Sequence, residues 1–458
     1  MSKCTTWLAA LALATAAACG DDSGLIGEPM PDAGEEIDAP PGVTIVNVPA
    51  GDISTDTTWT KDNVYVLGGY VFFTGGTLTI EAGTTIRGKN GSALTITKDA
   101  KIVARGTAAE PIVFTSSSAT PMAGDWGGLV LLGKASINVA GGVEDVDGFA
   151  SSYGDRIVFG GGASPDDDHD CGTLEYVRVE YAGFELSPGS ELNGITLGGC
   201  GRQTVVDHVQ SHMGLDDGIE VFGGTVDLRH VVISQPDDDG LDWDLGWRGT
   251  AQFLIVQQRE GTGDKAFESD NHPSVYSSTP RSAPELWNVT LIGGDGPAAE
   301  KRQGGMHLRH GTAGKINNAI IAYFNGFAVD IDGSDSAALY GTALSIKHTY
   351  FVKSTNATAV WPDSFDVSSG DENDCQGGAN TSCLDEATVI GQDPTNHVDV
   401  DVELGAPKNL TAPDFRPASG SPVLTGCGTP PAGFDTSATF CGAIGTTDWT
   451  AGWTKFPG

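Results

Sequence analysis

The chain has 458 residues, of which 64 are glycine, about 14% against a usual share of roughly 7%. Lys and Arg total 25 against 60 Asp and Glu, a net charge of −35 that repels phosphate backbones and excludes nucleic-acid binding. A hydrophobic share of 39% excludes a wholly disordered chain, and glycines without a period of three exclude collagen.

Lys3 followed by the apolar run Trp7–Ala18 reads as a secretion signal, residues 1–18, too short to span a bilayer as a permanent helix. Its end, Ala16-Ala17-Ala18-Cys19, resembles a bacterial lipoprotein cleavage box, which implies lipid on Cys19. Gly20 rather than Asp after the cysteine fits release to the outer membrane. The expected location is therefore the outer membrane or cell surface of a Gram-negative bacterium, with the lipid as the one membrane contact. Residues 19–42 are rich in Asp, Glu, Pro and Gly and cannot bury enough surface to offset their ordering entropy, so they read as a disordered tether.

The region 43–355 carries a repeat. Short strands recur as LEYVRVE from Leu174, VDHVQSH from Val206, LRHVVIS from Leu228, AQFLIVQ from Ala251, LWNVTLI from Leu286 and INNAIIA from Ile316. The starts are 32, 22, 23, 35 and 30 residues apart, a period near 22 with insertions, as in solenoids. The units are β-branched and aromatic, broken by Gly or Asp, so the windings are built of strands, with glycine at the tight corners. Similar texture begins earlier, in TLTIEAGTTIRG and PIVFTSS. Val43 to about Gly68 reads as an amino-terminal cap, and the Pro- and Cys-rich stretch 356–458 as a carboxy-terminal cover. Cys171–Cys200, Cys375–Cys383 and Cys427–Cys441 are the economical pairings of an exported chain.

The segments GDWGGLVLLGKASI, LEYVRVEYAGFELSPGSELNGITLGG and MGLDDGIEVFGG resemble uncharacterised secreted and lipoprotein β-helices of bacteria with the pectin-lyase-like fold. The resemblance implies an all-β, right-handed parallel β-helix and export. It implies no activity.

The second strand of each winding, GIEVF, GLDWD, AFESD, GMHLR and AVDID, places Ile219, Leu241, Phe267, Met306 and Val329 in one inward row. Alternation then puts Glu220, Asp242, Glu268, His307 and Asp330 in an outward row, with Phe222, Asp244, Asp270, Arg309 and Asp332 two residues on. Windings about 4.8 Å apart bring these acids together, and opposed like charges are destabilising. Calcium is the simplest neutraliser, with Asp216, Asp217, Glu220, Asp239, Asp242, Asp244, Glu268 and Asp270 as candidate ligands. The bland alternative is a solvated acidic face with some raised pKa values.

Two catalytic readings use the same surface, with Asp242, Asp244, Glu268, Asp270 and Arg309 as candidate residues. Asp242 and Asp244, about 6.6 Å apart along a strand, suit an inverting glycoside hydrolase. The segments DDDGLDWD and RHG resemble parts of polygalacturonase-type hydrolases, although their order and spacing differ. A polysaccharide lyase would need calcium and a base from Arg309, Lys265 or Lys301. Trp247 and Arg248, together with His307, are candidate substrate-binding residues, with packing weighed as the leading alternative for Trp247, whereas Trp243 and Trp126 read as packing. His208 and His230 occupy equivalent repeat positions and read as a ladder. The expected partner is a polysaccharide or a surface protein, and the expected state a monomer. A structural or adhesion module without catalysis is the third reading.

Overall fold

A computed structural model describes residues 42–147, 149–187, 190–297, 301–357, 359–361 and 384–457. The signal segment, Cys19, the tether and the Cys375–Cys383 pair lie outside the described residues.

Two long parallel sheets run side by side through the molecule, and the chain visits both in each turn. One extends from Thr44–Val48 to His397–Val398, the other from Gly51–Ile53 to Phe327–Asp330. This is an all-β parallel β-helix. The repeat starts coincide in register: Leu174 pairs with Val206, Val206 with Leu228, Leu228 with Ala251, Ala251 with Leu286 and Leu286 with Ile316. These residues are fully or almost fully buried, and stacking them forms one continuous apolar column.

Early windings have three strands, the third row being Thr57–Trp59, Gly76–Ile80 and Ala100–Arg105. From Gly172–Glu180 the third and first rows merge, residues 172–175 pairing with Ile102–Arg105 and 177–179 with Ile112–Phe114. The bend falls on Tyr176, whose φ of 49° is left-handed, and the same bend recurs at His208, His230, Phe253, Asn288, Asn318 and His348. Left-handed backbone costs about 1–2 kcal/mol at a residue bearing Cβ. Ring stacking offsets it: Tyr176 to His208 and His208 to His230 are each 4.3 Å between centroids, and His230 to Phe253 is 4.8 Å. Asp207 ties the column by accepting from Nδ1 of His208 and of His230, at 2.8 and 2.7 Å.

The ends and flanks differ from the expectation. Val43–Gly68 is no separate cap: Thr44–Val48 pairs in parallel with Asn63–Leu67, so winding starts there. The described part of 356–458 divides between two tasks. Val360 and Ile390 close the end of the central column. The remainder runs back along the first sheet, packing Val402, Phe415, Val423, Ile444 and Trp453 on Val232, Ile255, Ile292 and Ile320. Side chains of successive windings hold its backbone: Arg178 donates to the Trp453 carbonyl at 2.9 Å, Gln210 to Lys455 at 2.7 Å, Gln257 to Pro407 at 2.8 Å and Asn318 to Gly428 at 2.8 Å. Cys427–Cys441 lies within this strap, and Cys171–Cys200 joins two adjacent windings.

Another cover comes from residues 134–170, where Glu144–Asp145 pairs antiparallel with Val158–Phe159. Its Val146, Phe149 and Phe159 pack on Phe72, Val130 and Leu132 of the second sheet.

Trp453 is 1% exposed, so Trp453→Ala should cost about 3–5 kcal/mol in urea unfolding if the strap unfolds with the solenoid. Hydrogen exchange should then quicken in Gly172–Glu180 and Val205–His212, the middle of the solenoid. Faster exchange confined to the last windings would show that the segment is only an end cap.

Candidate functional site

The acidic face is built by a short repeated text. Asn193-Gly194-Ile195, Asp217-Gly218-Ile219 and Asp239-Gly240-Leu241 each enter a strand of the second sheet. The glycine is required by closeness: a Cβ on Gly218 would collide with Ile233, and one on Gly240 with Val256 and the Ala266 carbonyl. Backbone bonds Gly194–Asp217, Gly218–Asp239 and Gly240–Lys265 of 2.8–2.9 Å stack these turns. Register then sets Glu220 beside Asp242, Asp242 beside Glu268, Glu268 beside His307 and His307 beside Asp330. Phe222 stands beside Asp244 in the next row.

This column is no open stripe. It floors a cleft of about 230 Å3, walled by Val146 and Asp147 from the covering loop and by Leu192, Asn193 and Phe222. Asp217, Asp239 and Asp270 are nearly buried, at 7%, 4% and 7% exposure.

Half of the column carries its own countercharge. Arg309 donates Nε to Asp270 at 2.9 Å and Nη2 to Glu268 at 2.8 Å, while Lys265 lies 3.2 Å from Glu268 and 2.7 Å from Asp264. His310 Nδ1 is 2.8 Å from Asp270, and His307 Nδ1 3.5 Å from Glu268. Burial opposes ionisation of Glu268, but His307, Lys265 and Arg309 outweigh it and hold its carboxyl well below the usual range. Burial likewise disfavours charge on Lys265 and Arg309, and the surrounding carboxylates more than reverse it, holding both more firmly protonated than usual.

In the other half, Asp217, Glu220 and Asp242 have no basic side chain bonded to them among the described residues. Oxygens of Asp217, Glu220 and Asp242 lie within 4.8 Å of one another, and Asp216, Asp217 and Asp238 form an adjoining trio. Their polar contacts are weak compensation: Asp217 accepts the Asp239 N–H at 3.0 Å, Asp239 accepts the Lys265 N–H at 2.5 Å, and Asn193 donates Nδ2 to Glu220 at 2.5 Å. The buried Oδ1 atoms of Asp242 and Asn193 have no hydrogen-bond partner. Burial first, then repulsion from neighbouring acids, pushes Asp217, Glu220 and Asp242 well above the carboxylate range. Asp239 is pushed up in the same way, chiefly by burial and then Glu268, with Lys265 opposing. Burial also raises Asp244, to about 7, against a hydrogen bond from the Leu245 N–H.

Other expected site residues sit elsewhere. Trp247 is fully buried and donates Nε1 to the Val226 carbonyl at 3.0 Å, so it packs and offers no stacking face. Arg248 bonds Asp167 at 3.3 Å and Ser136, staples for the 134–170 loop, so it is a structural cation away from the cleft. Arg309 and Lys265, weighed as bases, are committed to carboxylates, and Lys301 faces Asp264 at 4.0 Å. His307 is 4% exposed within the column, beneath ligand reach. Trp243 and Trp126 are core residues. Asn193, the Val146–Asp147 wall and the His310–Asp270 contact escaped sequence reasoning; the Asn-Gly-Ile parallel to Asp-Gly-Ile was the one available signal.

The geometry defines a parallel β-helix with an acidic cleft on one sheet. A family model described as a pectate-lyase-like beta helix domain matches residues 51–391, most of the chain, and the protein belongs to that family. No curated protein and no solved structure matches it.

Carboxyls raised in the folded state favour folding below about pH 4, where the unfolded chain is also protonated, and lose that advantage as pH rises through their folded values. For Asp244 the window runs from about 4 to about 7. Glu268 acts oppositely, its contribution vanishing as pH falls. In chelator the melting temperature should therefore fall between about pH 5 and about pH 8. Asp242→Asn should flatten this slope and stabilise the protein by about 1–3 kcal/mol at the upper end. A slope identical in the variant would contradict the account.

Proposed function

We propose that the cleft binds calcium through Asp217, Glu220 and Asp242, with Asp216 and Asp239 at its rim, and that the cation-loaded surface holds a glycan or protein partner outside the cell. What carries the reading is the split column: Glu268 and Asp270 are balanced by Arg309, Lys265 and His310, while Asp217, Glu220 and Asp242 converge without a basic side chain bonded to them among the described residues. The donors are all oxygen, as a hard cation requires, and the two partnerless Oδ1 atoms of Asp242 and Asn193 belong to this half. Asp244, expected as a ligand, lines a neighbouring cavity instead, and Glu268 and Asp270 already face the cations Arg309 and Lys265, although Oε1 of Glu268 has no hydrogen-bond partner.

Glycoside hydrolysis is the second reading, favoured by Asp244 at about 7 two residues from Asp242 in the same strand. A lyase is less well supported, because Lys265 and Arg309 are shifted away from the neutral state a base needs. A purely structural or adhesive module remains the third.

Millimolar calcium in place of chelator should raise the melting temperature by several degrees, and Asp242→Asn should abolish the rise. No rise in the unaltered protein would sink the cation reading. A glycan panel incubated in both conditions separates the rest: new reducing ends mean hydrolysis, unsaturated products mean elimination, and retention without turnover means binding.

The apolar run before Cys19 supports export with a lipid anchor at the outer membrane or cell surface. Cys19→Ser should move the protein from the membrane to the soluble fraction of the producing cells; unchanged membrane association would refute the anchor.

A further inference from the structure

A second cavity, of about 580 Å3, adjoins the acidic cleft and shares Val146, Asp147 and Phe222 with it. Its volume suits a small organic molecule. Three aromatic side chains from separate segments line it: Phe149 behind the strand Glu144–Asp145, Phe159 in the opposing strand, and Phe222 in the second sheet. Phe159 and Phe222 are 5.6 Å apart between centroids, inclined by 33°. Around this apolar floor stand the carboxylates of Glu144, Asp145, Asp147 and Asp244, with His272 the one lining side chain able to carry positive charge and no Lys or Arg among the described residues. Glu144 and Asp145 are exposed, so the acidic rim faces arriving ligands.

We propose that this cavity binds an organic ammonium cation, an alkylated amine whose charge is spread over carbon. The chemistry selects among ligand classes. Anions are repelled by the rim and by a chain of net charge −35. A compact inorganic cation is better served by the oxygen cage next door and gains little from phenyl faces. A neutral apolar ligand fills the floor but leaves the carboxylates without a countercharge as it displaces their water. An alkylammonium uses both parts: its methyl or methylene groups meet Phe222, the half-buried ring of the floor beside buried Phe149 and Phe159, by cation–π attraction, and its charge meets Asp244 and the rim. The site is separate from the calcium reading and does not depend on it.

The test is calorimetric titration of the full chain with choline and tetramethylammonium, beside 3,3-dimethylbutan-1-ol, the neutral carbon isostere of choline. Saturable binding of the ammonium compounds is expected in the millimolar range or tighter, with the isostere weaker by about tenfold. Phe222→Leu keeps apolar volume but removes the ring, and should weaken choline about three- to tenfold while leaving the isostere unchanged. Glu144→Gln with Asp145→Asn, both on exposed positions that leave folding intact, should weaken choline and flatten its salt dependence. Equal affinity for choline and the isostere, or no saturable binding of either ammonium compound, would overturn the proposal. Running each titration with calcium and with chelator keeps the readings apart: ammonium binding without any calcium effect on melting sustains this site and removes only the other.

Discussion

Hydrogen bonding between windings is the constraint from which the rest follows. It fixes equivalent residues of successive turns about one strand spacing apart, whatever their charge. An acid at the same position in consecutive turns cannot move away from its neighbour, so Glu220, Asp242 and Glu268 are held as a column by the ladder beneath them. The repulsion has to be met locally. The molecule does so in two ways along one column. Towards Gly304–Leu308 the turns supply Arg309, His307 and His310, and the acids there are paired with them. Towards Ile219–Phe222 they supply backbone N–H groups and Asn193, which satisfy hydrogen bonds but bring no net charge. The gradient from compensated to uncompensated carboxylates is the feature that a cation would complete.

Two covers border this face. The strap of residues 400–457 covers the first sheet from Gly172–Glu180 onward, its backbone held by Arg178, Gln210, Gln257 and Asn318. The loop 134–170 occupies the early windings of the second sheet with Phe149 and Phe159. Beyond that loop lies the later part of the second sheet, where the strands Ile219–Phe222, Leu241–Asp244 and Lys265–Ser269 meet its edge. The cleft and the aromatic cavity are therefore one seam between scaffold and cover. Removing the loop would flatten both.

The column was readable from sequence because strand alternation is strict and the glycines mark where each strand begins. Ile219, Leu241, Phe267, Met306 and Val329 align in the structure as the pattern GIEVF, GLDWD, AFESD, GMHLR and AVDID requires. Trp243 followed from the same rule. Trp247 did not, because it lies past the strand end, where no period relates position to face, and it proved as buried as Trp243. Arg248 failed for a related reason: its partner Asp167 is 81 residues away in a loop without repeat. Whatever the windings dictate was visible, and whatever packs upon them was not, since covers make contacts that no periodicity records. Asn193 stands between the cases, an amide in a position that later turns fill with Asp217 and Asp239.

The same electrostatics limits the chemistry open to the cleft. Proton abstraction by Lys265 or Arg309 would require giving up a charge that Glu268, Asp264 and Asp270 hold in place, so these cations act as fixed positive charges and not as bases. Proton exchange near neutrality falls instead to the carboxyls raised by burial, Asp244 foremost. An anionic polysaccharide approaching Asp217, Glu220 and Asp242 would meet repulsion unless a cation were already seated there. A neutral or cationic ligand faces no such repulsion, and the aromatic floor beside the column gives it somewhere to rest.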